Sequence, residues 1–108
     1  MNKYHNKKVM YDGIKFDSKK EANYYIKLKM LEKAGKIRDL KLQVPFTLIE
    51  TFKVDDRTYR KTKYIADFTY LDDKDKLHVI DVKGFRTKEY ELKKKLMAWK
   101  YGIEIEEV

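Results

Sequence analysis

Two stretches decide the fold: Tyr64-Ile65-Ala66-Asp67-Phe68-Thr69-Tyr70-Leu71 and, after a five-residue turn, Leu77-His78-Val79-Ile80-Asp81-Val82-Lys83-Gly84. Both are rich in β-branched and aromatic residues, and the linking Asp72-Asp73-Lys74-Asp75-Lys76 has a length that suits an antiparallel hairpin. The two strands, Tyr64 to Leu71 and Leu77 to Lys83, are therefore expected to be neighbours. Side chains alternate along a strand, so Asp81 and Lys83 share one face while Val82 points to the other. In the first strand Asp67 is a lone carboxylate among apolar and aromatic residues, and burying it is costly unless it is paired or binds a cation.

Working outward, Val9-Met10-Tyr11 and Ile14-Lys15-Phe16 flank Asp12-Gly13, a favoured two-residue turn, and predict a small hairpin. Ser18-Lys19-Lys20-Glu21 has capping-box form, and Ala22, Tyr25, Ile26, Leu28 and Leu31 recur at helical spacing until Gly35, which predicts a helix from Lys19 to Ala34. From Ile37 to Phe52, Leu40, Leu42, Val44, Phe46 and Leu48 alternate as in a half-buried strand, with Pro45 demanding a bend or a sheet edge. Lys53 to Lys63 reads as a loop or a hairpin tip. Thr87 caps a second helix, with Leu92, Leu96 and Trp99 at i, i+4 and i+7 before Gly102. Ile103 and Ile105 then suggest a short last strand.

The result is a single α/β domain spanning residues 1–108. A small N-terminal hairpin precedes the order helix, three strands, helix, strand, and residues 1–7 form a basic arm.

The chain of 108 residues holds no cysteine and two histidines, so a thiolate or ordinary zinc site is excluded and any metal must be held by oxygen. No apolar run approaches the roughly 18 residues of a membrane span, and the N-terminus lacks a signal-peptide core. A cytoplasmic location without membrane partners is expected. The net charge of +8 and 26 basic residues favour a polyanionic partner, with nucleic acid first among the candidates. Twenty-two of those residues are lysine, which suits phosphates better than base edges and points to recognition by shape. Solubility alone also accounts for a lysine-rich surface.

If the two strands pair, Asp67 and Asp81 lie side by side, and two such carboxylates repel unless a divalent cation or a shared proton lies between them. Magnesium, with hard oxygen ligands, fits this inventory, and manganese is an alternative. The competing explanation of Asp81-x-Lys83 is an ordinary strand salt bridge.

The order of elements, with Phe16-Asp17-Ser18-Lys19-Lys20-Glu21-Ala22 on the first helix, Asp67 on the middle strand and Ile80-Asp81-Val82-Lys83-Gly84 on the next, resembles the PD-(D/E)XK nuclease superfamily. In particular it looks like its short phage-encoded endonucleases, over about residues 8–108. The resemblance implies a restriction-endonuclease-like core and a Mg²⁺-dependent DNA endonuclease, acting on branched or recombination-type DNA as a homodimer and, if phage-encoded, in the host cytoplasm. It implies Asp67 and Asp81 as metal-binding acids, Val82 as a carbonyl ligand, Lys83 as the catalytic lysine and Glu21 as a further acid. Glu21 is equally explained as the capping-box glutamate. Ala66 stands where the eponymous proline would precede Asp67.

Gln43 is a polar residue placed to contact water or phosphate near the site, or simply the polar member of its alternation. Arg57, Arg60, Lys61 and Lys63 before the Asp67 strand, and Lys93 and Lys94 on the second helix, are candidate phosphate contacts. A non-catalytic nucleic-acid-binding module and an RNA-directed nuclease are the competing functions.

Overall fold

In the computed structural model, which describes residues 8–82 and 86–108, the chain forms a small α/β domain. Strands β1 (Val9–Tyr11) and β2 (Ile14–Phe16) make the expected hairpin. Asp12 and Gly13 both take positive φ, the conformation that a tight hairpin turn requires. Helix α1 (Lys19–Lys33) starts at Ser18, whose Oγ accepts from the Glu21 backbone N–H at 3.0 Å. It buries Ala22, Tyr25 and Leu28.

Strands β3 (Arg38–Ile49), β6 (Thr62–Leu71), β7 (Leu77–Asp81) and β8 (Glu106–Glu107) form one sheet in the order β3-β6-β7-β8. The first two pairings are antiparallel and β7–β8 is parallel, reached through helix α2 (Lys88–Tyr101). The 53–63 stretch resolves into a second small hairpin, β4 (Phe52–Val54) with β5 (Arg57–Tyr59), on which every residue is exposed. Its Phe52 and Tyr59 rings stack at 4.9 Å across the strands. Exposure on both faces is why no alternation marked these strands in the sequence.

Two findings correct the sequence reading. The last strand lies at Glu106–Glu107 rather than across Ile103 and Ile105: Ile105 is buried against α2, and the pairing falls on the residues after it. Helix α2 buries Tyr90 and Met97, whereas Leu92 and Trp99, which the helical spacing picked out, are exposed.

The core has two parts. Phe16, Ala22, Tyr25, Leu28, Ile37, Phe68 and Ile80 surround α1, while Leu48, Tyr64, Ala66, Val79, Tyr90, Met97 and Ile105 gather against α2. On β7 the neighbours Val79 and Ile80 go to different clusters, as alternation requires. On β6 the rule breaks: Tyr64 and Ala66 pack with α2, yet Phe68 packs with α1. The facing changes at Asp67. Across from it, between the pairs Leu42↔Phe68 and Val44↔Ala66, Gln43 has φ 53, a left-handed conformation uncommon outside glycine.

No helix of the described residues is long and apolar enough to cross a membrane.

Candidate metal and phosphate site

The register Phe68↔Ile80, continued by one residue, sets Asp67 opposite Asp81 on adjacent strands. Both line one open pocket of about 440 Å³, together with Lys63, Tyr64, Thr87, Glu89, Tyr90 and Lys93. The larger apolar groove between the first hairpin and α1 contains neither aspartate. The two acids thus share one pocket, and α2 supplies its other wall.

Each carboxylate is oriented by a specific donor. Tyr64 donates its hydroxyl to Asp81 Oδ2 at 2.5 Å, and Asp81 itself is only 2% exposed. Burial, then the hydrogen bond to Asp81, pushes the Tyr64 hydroxyl far above its ordinary range, so it stays protonated and remains a donor. Asp67 Oδ2 accepts from the Val82 backbone N–H at 2.7 Å, which ties the acid on β6 to the end of β7. Short bonds of this kind to a carboxylate are stronger than neutral ones.

The α2 wall is held in turn. Thr87 Oγ1 caps the helix by accepting from the Tyr90 N–H at 3.0 Å. The Tyr90 hydroxyl donates to Glu107 at 2.6 Å, and burial followed by this bond raises its pKa. Glu107 also receives Arg86 and Lys94, and its pKa is lowered chiefly by the Tyr90 hydrogen bond. Lys94, expected to face phosphate, thus spends its charge on the β8 carboxylate. Lys93 does line the pocket, paired at 2.9 Å with Glu89.

The remaining candidates are dispersed. Glu21 is buried at the start of α1, where Oε1 accepts from the Asp17 backbone N–H at 2.9 Å, a cap-type contact. It does not line the pocket of the two aspartates. Among the described residues no group of three or more His, Cys, Asp or Glu side chains is placed to hold a metal ion. Gln43 is exposed and lies across β3–β6 from Asp67. Arg57 lies over the Tyr59 ring at 5.0 Å on the exposed hairpin, Arg60 and Lys61 follow at its base, and Lys63 reaches the pocket rim. Lys83, the expected catalytic lysine, and the 1–7 arm lie outside the described residues.

Tyr64 is both a core residue, packed against α2, and the donor to Asp81, and the second role leaves no mark in the sequence.

An α/β domain with two facing strand carboxylates in a lysine-rimmed pocket is the class that fold and site define. The chain belongs to the family described as "Protein of unknown function (DUF1064)", whose model matches residues 1–106. Neither the comparison with curated proteins nor that with solved structures gave a match.

Proposed function

We propose that this protein is a divalent-metal-dependent DNA endonuclease with a restriction-endonuclease-like core. The observation that carries this reading is that Asp67 and Asp81, one of them buried, line a single pocket with Lys63 and Lys93. Two adjacent carboxylates disfavour each other's ionisation, and a cation between them removes that penalty.

The donor set fits Mg²⁺ or Mn²⁺. Asp67, Asp81 and the Val82 carbonyl are hard oxygen donors, and Mg²⁺ takes one or two carboxylates with waters and substrate phosphate completing its shell. Two protein carboxylates are thus sufficient, and Glu21 is not required. When bound, the cation would offset phosphate charge and lower the pKa of adjacent water. Tyr64 and the Val82 N–H hold the two carboxylates in place before substrate arrives. Lys63 and Lys93 draw the phosphate backbone to the pocket mouth, and Lys83, one residue beyond Val82, is the proposed stabiliser of charge on the phosphate oxygens. In hydrolysis, water oxygen bonds to phosphorus as one ester P–O bond breaks and the leaving oxygen takes a proton.

The test incubates the protein with linear duplex, single-stranded and four-way-junction DNA, and with RNA, in Mg²⁺ or in EDTA. Metal-dependent cleavage of DNA that is lost in Asp81→Ala supports the reading. Cleavage of RNA alone transfers the site to an RNA-directed nuclease. Binding without cleavage of any substrate leaves a nucleic-acid-binding module and sinks the proposal.

A further inference from the structure

We infer that the β4–β5 hairpin is an arm that holds an unpaired stretch of the DNA substrate. Bases stack on the Phe52–Tyr59 ring pair, and the phosphates follow Arg60, Lys61 and Lys63 toward the Asp67 and Asp81 pocket. The register Phe52↔Tyr59 and Val54↔Arg57 puts these four side chains on one face of the hairpin, with Lys53 and Thr58 on the other. Phe52, Val54 and Tyr59 are 47%, 54% and 38% exposed. Among the described residues neither strand packs on another element, so this apolar face covers no core. The two rings lie within 9° of parallel, and the Arg57 guanidinium lies over Tyr59. Aromatic rings and arginine planes are the surfaces on which unpaired bases stack, with little regard to sequence.

Three observations point to unpaired DNA as the occupant. The first is a path: a groove of about 490 Å³ shares Lys63, Glu89 and Lys93 with the Asp67 and Asp81 pocket and reaches Lys61 at the foot of the hairpin. There the Lys61 backbone N–H donates to Thr51 Oγ1 at 3.1 Å, which ties the two ends of the arm together. The second is charge. Arg60, Lys61 and Lys63 are exposed and form no ion pair with a described residue, whereas Glu89 in the groove is paired with Lys93. The carboxylates of the arm set where the strand crosses: Asp55 and Asp56 make the turn at the tip and repel phosphate, while at the foot three cations face the single Glu50. The third is the chemistry of the ring face. Reading a duplex groove takes hydrogen-bonding side chains aimed at base edges, but Arg57 lies on a ring, and Lys53 and Thr58 are on the far side. Such a face suits the flat faces of bases, which a duplex covers and an unpaired strand exposes. Unpaired bases are thus the feature selected, whether or not the DNA is branched. The inference rests on the nuclease reading only for the pocket to which the arm leads.

Binding in EDTA tests the arm without cleavage. Wild type should hold a single-stranded thymidine oligonucleotide about 5-fold or more tighter than an abasic oligonucleotide of the same length and charge, the effect of losing about one stacked base. Tyr59→Leu keeps apolar bulk but has no aromatic plane, and it should bind the two chains alike. Tyr59→Phe keeps the plane and should behave as wild type. Arg60→Ala with Lys61→Ala should instead weaken both chains and flatten the log K against log salt slope by about 1.4. Melting temperature should hardly change in any of these, because the arm packs on no other described element. Equal wild-type affinity for the two chains overturns the inference. So does a Tyr59→Leu protein that still prefers the thymidine chain, which leaves the ring face to the hairpin's own stability or to a protein partner. In Mg²⁺, duplex DNA with a single-stranded flank should be cut faster than blunt duplex, and Tyr59→Leu should erase the difference. Cutting that ignores the flank overturns the arm's role and leaves the nuclease reading intact, whereas base stacking in EDTA with no cleavage of any DNA refutes the nuclease reading alone.

Discussion

Replacing Asp81 with Asn should make the metal-free protein more stable while removing both its response to Mg²⁺ and its cleavage. Asp81 is 2% exposed and shares a pocket with Asp67 of the neighbouring strand. Two unit charges about 5 Å apart at an effective dielectric near 20 repel by about 3 kcal/mol, a ceiling for this pair because other groups also act on both acids. The asparagine is isosteric and still offers an oxygen to the Tyr64 hydroxyl, so the change removes the charge and keeps the packing, at the cost of the charge assistance in that bond. For a domain of this size 1 kcal/mol moves the melting temperature by about 4–8 °C. The corresponding ceiling is a rise of about 12–24 °C in EDTA at pH 8, reached only when both acids are charged and no neighbouring group offsets them. Wild type should instead gain from the cation: at ten times the dissociation constant, binding adds about 1.4 kcal/mol, or about 6–11 °C. Thermal melts of both proteins in EDTA and in a Mg²⁺ series measure these shifts without any substrate. An Asp81→Asn protein that melts lower than wild type in EDTA, or that keeps the full Mg²⁺ response, would refute the electrostatic argument.

Tyr64→Phe removes a buried hydrogen bond to a carboxylate, so it should cost about 1.5–3 kcal/mol of stability by denaturant titration. It should also shift the Mg²⁺ dependence of cleavage to higher concentration, which a purely structural loss would not do. His78 lies between Asp72 at 2.8 Å and Glu106 at 2.5 Å, stacked on Tyr70. Burial lowers its pKa, but hydrogen bonds to Asp72 and Glu106 outweigh that and leave it raised. Its contribution is therefore full below about pH 6.5 and lost as pH rises through the higher folded value. Melting temperature should fall over that window in wild type and stay flatter in His78→Gln. The His78 hydrogen bond, with backbone N–H groups of Lys76 and Lys74, holds Asp72 down to about 2. Its part of the stability is present above the ordinary carboxylate range and lost toward pH 2. Finally, Lys63→Ala should weaken DNA binding in EDTA about equally across sequences and flatten the log K against log salt slope by about 1; an unchanged slope would remove Lys63 from the phosphate path.

What the sequence revealed was whatever leaves a local mark. The Asp12-Gly13 hairpin, the Ser18 cap and the Thr87 cap all follow from short-range backbone demands and occur where expected. The pairing of the strands that carry Asp67 and Asp81 followed from a hairpin-length turn between two strand patterns. The rest depended on partners distant in the chain. Glu106–Glu107 is too short to show periodicity and becomes a strand only because Ile80 and Asp81 are beside it. Helical spacing identified α2 but not its buried side, since Tyr90 and Met97 compete with Leu92 and Trp99 for the core and the sheet decides between them. Glu21 was ambiguous between cap and ligand, and its bond to the Asp17 N–H is of the first kind.

The change of facing on β6 has a consequence for how the strand tolerates alteration. Because Tyr64 and Ala66 answer to one helix and Phe68 to the other, β6 behaves as two short strands joined at Asp67. A deletion before the joint would rotate the first half out of its core and leave the second in register, and a deletion after it would do the reverse. The joint itself belongs to neither core. An acid stands there without displacing an apolar neighbour, so the seam between two hydrophobic halves is also a place where the strand can carry a charge.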